Sequence, residues 1–108
     1  MCKGVKEGID VSFLNILNKK RFERGLYYYK NNKKFIILTN ERFLKTDGNK
    51  ISKEIYLNKI EYINNIDKGI FKSNILEIVD NNYNIVKFGI YSKKVCDIFY
   101  KLIKNLVS

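Results

Sequence analysis

"FIILTNERFLKTDGNKISKEIYLNKIEYI", residues 35–63, decides the fold. Four apolar residues, Phe35 to Leu38, stop at Thr39-Asn40-Glu41-Arg42, and the pair Phe43-Leu44 follows at once. A short unbroken apolar run with isoleucine enrichment fits a strand covered on both faces. Asn40-Glu41 then supplies a tight reversal. Asp47-Gly48 is the strongest hairpin signal in the chain, because glycine takes a positive φ without steric cost. The stretch therefore reads as the strands "KFIILT", "RFLKT" and "SKEIYL", with a step into a fourth, "KIEYINNID".

Upstream, "LYYYK" is a further strand, and Asn31-Asn32 is its turn. Residues 1–9 read as a loose start. Asp10 suits the N-cap of a helix over roughly residues 11–24, with Phe13, Leu14, Ile16 and Leu17 as its apolar face and Gly25 as its stop. Downstream, Asp67-Lys68-Gly69 marks a turn, and "SNILEIVD" and "NIVKFGIY" are joined through Asn81-Asn82. Val86, Phe88 and Ile90 alternate with Lys87 and Gly89, which marks one buried face. That makes seven strands. The period then changes. After Ser92, a good N-cap, Val95, Ile98, Phe99, Leu102, Ile103 and Leu106 form a helical apolar stripe. Such a stripe needs a sheet to cover. The expected core is Ile37, Phe43, Leu57, Ile60, Leu76, Val86, Phe88, Ile90, Val95, Phe99 and Leu102.

Seven antiparallel strands followed by one amphipathic helix resemble the pleckstrin-homology (PH) superfold. The opening stretch is similar to bacterial PH-like and GRAM-like domains in its Leu38-Thr39-Asn40, its nearby Arg42, and the step Ile55-x-Leu57-x-x-Ile60. The resemblance covers residues 26–106. It implies a mainly β fold, a seven-stranded bent antiparallel barrel capped by the C-terminal helix. Residues 1–25 would be an extra N-terminal helical extension, and residues 26–108 the PH-like domain. It also implies a binding or assembly module rather than an enzyme.

The residues argue the same way about chemistry. Histidine is absent, which removes the commonest acid–base group. No Gly-rich phosphate loop, nucleophile elbow or metal-ligand spacing is present. The carboxylates are scattered singly, the aspartates at turns and the glutamates on solvated faces. Cys2 and Cys96 form no CxxC, and Cys96 reads as a small residue of the last helix. No cofactor and no small-molecule substrate is expected. No stretch is long enough to span a membrane and no apolar leader precedes Cys2, so the expected location is the cytoplasm.

Charge is the remaining clue. Lysine and arginine number 21 against 11 acidic residues, a net charge of +10. Ile, Lys and Asn dominate, as A/T-rich codons of a bacterial genome would produce, and such codon bias would weaken a functional reading of the basic excess. Even so, the charge favours anionic partners. Candidate contacts are Lys19, Lys20, Arg21 and Arg24, together with Lys30, Lys33 and Lys34 around the first turn. In phosphoinositide-binding relatives the corresponding loop grips phosphates. Here Phe35-Ile36-Ile37 follow it and the strand carries no arginine, a departure from that pattern. Tyr27, Tyr28 and Tyr29 beside the basic run would serve nucleic-acid stacking if one were exposed. With three arginines among the 21 basic residues, such binding would be nonspecific. A protein partner or self-association is the first expectation, because bent sheets recruit other chains at their edges. Binding to an anionic membrane surface is the alternative.

Overall fold

The structure, a computed structural model, describes residues 5–7, 23–48, 50–67 and 74–107. Among these are eight strands in two antiparallel sheets and one C-terminal helix. The chain divides between Tyr56 and Leu57 into two compact units.

The first unit is a five-stranded sheet in sequential order: β1 (Val5–Glu7), β2 (Gly25–Asn31), β3 (Lys34–Thr39), β4 (Arg42–Asp47) and β5 (Lys50–Tyr56). Strands β2 to β5 and the three that follow are the seven expected from the sequence. The eighth, β1, corrects the reading of residues 1–9 as a loose start, since Val5 to Glu7 pair with Tyr29 to Tyr27. The expected helix lies outside the described residues except for Glu23 and Arg24, which are not helical, and Gly25 opens a strand.

Each hairpin has a local cause. Asn32-Lys33 join β2 to β3, one position later than Asn31-Asn32, and Asn32 takes φ 58°. Asparagine tolerates that region because its side chain bonds locally. At the β3–β4 reversal, the Thr39 hydroxyl accepts from the amides of Glu41 (3.0 Å) and Arg42 (2.9 Å). Gly48 sits at φ 62°, where a side chain would be strained. Its amide donates to the Lys33 carbonyl (2.9 Å), so the β2–β3 and β4–β5 tips lie side by side.

Phe35 through Thr39 are all buried, as an unbroken apolar run requires. Alternation divides the sheet into two faces. One carries the cluster Phe35, Ile37 and Leu44, with Tyr28 and Ile51 packed on it. The other carries Val5, Ile36, Leu38, Phe43 and Ile55, also buried. Tyr27, Tyr28 and Tyr29 are all half-buried. Thr46 lies opposite Phe35 and Ile51, fully buried, and its hydroxyl has no hydrogen-bond partner among the described residues. An unmet buried hydroxyl is a folding penalty. Thr46→Val is expected to raise stability by about 1 kcal/mol or more in urea unfolding. An unchanged midpoint would mean that the hydroxyl is satisfied after all.

The second unit starts with a 3-10 turn, Leu57–Lys59, which is the structural form of the Ile55-x-Leu57-x-x-Ile60 step. Strands β6 (Ile60–Ile66), β7 (Asn74–Asp80) and β8 (Ile85–Ile90) then form a three-stranded sheet, and helix α1 (Lys93–Val107) packs against all three. One sheet face is apolar: Ile63, Leu76, Ile78, Phe88 and Ile90 are buried with Val95, Cys96, Phe99 and Ile103 of the helix. Ser92 caps α1, its hydroxyl accepting from the Val95 amide (3.3 Å) and its carbonyl from the Cys96 amide (3.0 Å). Buried Asn74 ties this start to Asp67, just past the end of β6, donating to Asp67 Oδ1 (3.1 Å) and accepting from the Lys93 amide (3.1 Å).

The helix seats itself on Val95, Phe99 and Ile103 with Cys96 beside them. Ile98 and Leu102 flank that line half-buried, and Leu106 in the last turn is 46% exposed. Leu57, Ile60 and Val86, at a turn, a strand start and an end strand, are also half-buried rather than fully enclosed. The other expected core residues are buried.

Candidate anion-binding face

In the first unit a network of polar side chains centres on Arg42. Arg42 is 5% exposed. Its Nε donates to Glu23 Oε2 (2.8 Å), Nη2 to Glu23 Oε1 (3.1 Å) and Nη1 to Glu54 Oε1 (2.9 Å). Thr39 Oγ1 donates to the same Glu23 oxygen (2.7 Å). Beside it, Asn40 holds Arg24 by both backbone groups, accepting from its amide (2.8 Å) and donating to its carbonyl (3.1 Å). Burial works against the Arg42 charge, but hydrogen bonds and charges from Glu23 and Glu54 outweigh it and raise the pKa. Arg42 also lies 5.9 Å from the centre of the Tyr56 ring. The guanidinium is fully engaged, so this is a structural clamp rather than a ligand site. Glu54 is exposed, as expected of a strand-face glutamate, and also pairs with Arg42.

The basic residues are arranged differently from the linear run. Lys19, Lys20 and Arg21 lie outside the described residues. Arg24 is exposed beside the β3–β4 reversal. That places it at the far end of the strands from the hairpin tips, a six-residue strand or ~20 Å away. Lys30, Lys33 and Lys34 are exposed, but they do not share one face. Lys30 pairs with Phe35 and its ammonium sits 5.7 Å from the centre of that ring, on the face of the Phe35 cluster. Lys33 is in the turn.

Lys34 projects to the opposite face, and register brings new neighbours to it there. Lys34 is opposite Asp47, Ile36 is opposite Lys45, and Lys45 is opposite Lys53. Lys34, Lys45 and Lys53, on three adjacent strands, thus share one face with Asp47, which is opposed by Lys34 on one side and Lys50 on the other. Lys45 is half-buried. Its pKa is lowered first by burial and then by Lys34 and Lys53, with Asp47 opposing. Like charges directly across a sheet are destabilising. The sequence reading missed Lys45 and Lys53. Counting register back from the Asp47-Gly48 turn was the signal that would have paired them. At the adjoining tip, Asn31, Asn32, Lys33, Lys34 and Asp47 line an open recess whose donors are amides and ammonium groups.

Cys96 lies buried in the second unit. Burial first, then Asp97 and Asp67, push its thiol up to about 12. It stays protonated, with Sγ 3.4 Å from Asn65 Oδ1, while Asn65 Nδ2 donates to Asp97 (2.7 Å). Among the described residues no three or more His, Cys, Asp or Glu side chains gather as a metal ion would require. Nor is any helix among them long and apolar enough to cross a membrane. Compared with protein-family models, with curated proteins and with solved structures, the chain matches none.

Proposed function

We propose that this chain is a non-enzymatic, cytoplasmic binding module of PH-like type, docking through the Lys34–Lys45–Lys53 face on an acidic surface of a protein partner. The PH-like assignment is supported by the succession of β2 to β5, β6 to β8 and a closing helix. One observation carries the functional reading: three ammonium groups are held on one sheet face at positions where they repel one another. Lysines in a sheet are ordinarily spaced or interleaved with acids. An anionic partner opposes the repulsion with attraction. Asp47 within the cluster suits a protein surface of mixed charge better than a uniformly anionic one. The large exposed apolar side chains of the described residues all lie in the second unit, so contact at this face is electrostatic.

The recess beside Lys34 favours a second reading, an anionic membrane surface, because its amide and ammonium donors suit a phosphate headgroup. One experiment separates them. Binding to a polyglutamate peptide and to phosphatidylserine vesicles is measured at two salt concentrations, with nucleic acid as competitor, for the wild type and for Lys34, Lys45 and Lys53 changed together to Gln. The protein reading expects salt-sensitive peptide binding that falls at least tenfold in the variant. Vesicle binding without peptide binding selects the membrane. Displacement of both ligands by nucleic acid marks a nonspecific polycation, and a variant equal to wild type removes this face from consideration.

A further inference from the structure

The face of the β6–β7–β8 sheet that points away from α1 has a pattern unlike a solvated surface. Register sets Tyr62, Val79 and Ile85 in one cross-strand row. Tyr62 is 51% and Ile85 57% exposed, with buried Val79 between them. The solvent face of an antiparallel sheet ordinarily carries polar residues at such positions. The next row is Asn64, Glu77 and Lys87, with Asn64 Nδ2 donating to Glu77 Oε1 (3.1 Å). An apolar row thus runs beside a row carrying one acid and one base.

A second observation comes from the β7–β8 turn at the same end of the sheet. Tyr83 takes φ 65° and is 78% exposed. A bulky side chain is strained there, whereas asparagine tolerates the conformation. Asparagines occupy positions 81, 82 and 84, yet the strained position holds the tyrosine. Strain kept together with an exposed aromatic is a mark of a surface used for contact.

We infer that this outer face is a self-docking surface, on which a second copy of the chain packs about a two-fold axis. Charge complementarity selects that occupant. With the axis parallel to the strands and midway between β7 and β8, Glu77 lies against Lys87 of the second copy and Val79 against its Ile85. Each contact is made twice, as an isologous interface requires. No other axis parallel to the strands does this: centred on β7, it would set Glu77 against its own copy. Three strands of about six residues make a face of roughly 20 by 15 Å. That is small for a permanent dimer and suits a reversible one.

Analytical ultracentrifugation of the full chain over roughly 10 μM to 1 mM, where a small interface associates reversibly, tests this. A concentration-dependent dimer is expected. Ile85→Glu should weaken it at least tenfold, as should Glu77→Lys or Lys87→Glu alone. The combined Glu77→Lys/Lys87→Glu exchange should restore it, with circular dichroism checking that every variant is folded. A monomer throughout the range overturns the inference and leaves the face to a different protein. So does a dimer indifferent to Ile85→Glu, or one that the combined exchange does not rescue. None of these variants touches Lys34, Lys45 or Lys53, so failure here is separate from failure of the anionic-partner reading.

Discussion

Arg42→Ala is expected to lower stability by about 3–5 kcal/mol, the usual loss when one member of a buried ion pair is removed. The size of the effect comes from what stays behind. The Glu23 side chain is 1% exposed and would be left buried without its counter-charge, having lost both bonds to the guanidinium. Glu54 would suffer less, since its side chain is 38% exposed and can be re-solvated. The pair itself stabilises far less than its removal costs, because desolvating both charges offsets most of their attraction. Exchanging Arg42 for Met and Glu23 for Leu together should therefore recover most of the loss. Urea unfolding of the single and double variants measures both quantities. A loss under about 1 kcal/mol in Arg42→Ala would mean that water reaches Glu23 once the arginine is gone.

Phe99→Ala should lower stability by a similar amount, about 3–5 kcal/mol, through a different mechanism. Phe99 is fully buried on the helix face that packs against β6, β7 and β8. Truncation removes its transfer free energy and leaves a cavity in a fully buried part of the core. Hydrogen exchange should show the loss first in the amides of α1. Leu106→Ala serves as the control, because at 46% exposed it should change stability by no more than about 0.5 kcal/mol. Equal effects at the two positions would place the buried stripe on the wrong side of the helix.

The parts of the fold legible in the sequence are those with local causes. Asp47-Gly48, Asn40-Glu41 and the stripe on α1 rest on turn chemistry and periodicity, and the strands between them followed. Strand β1 was not legible, because three residues, Val5-Lys6-Glu7, carry no periodic signal and form a strand through pairing with β2. The Arg42 clamp escaped for a related reason. Its carboxylates lie 19 residues before it and 12 after, and no local pattern joins them. The basic run was visible, but a linear run is not a surface. Alternation sends Lys30 and Lys34 to opposite faces, and register supplies the neighbours of Lys34 from two other strands.

The Arg42 clamp also bears on fidelity. A sheet whose central strand is apolar on both faces gives little penalty for sliding, since Ile36 and Ile37 exchange places with similar burial. Shifting β4 by one residue would turn Arg42 to the other face, away from Glu23 and Glu54, and leave the buried Glu23 without its counter-charge. The correct alignment meets all three at once. The clamp thus works as a proofreading contact: it adds little to the right arrangement and makes the neighbouring wrong ones inaccessible.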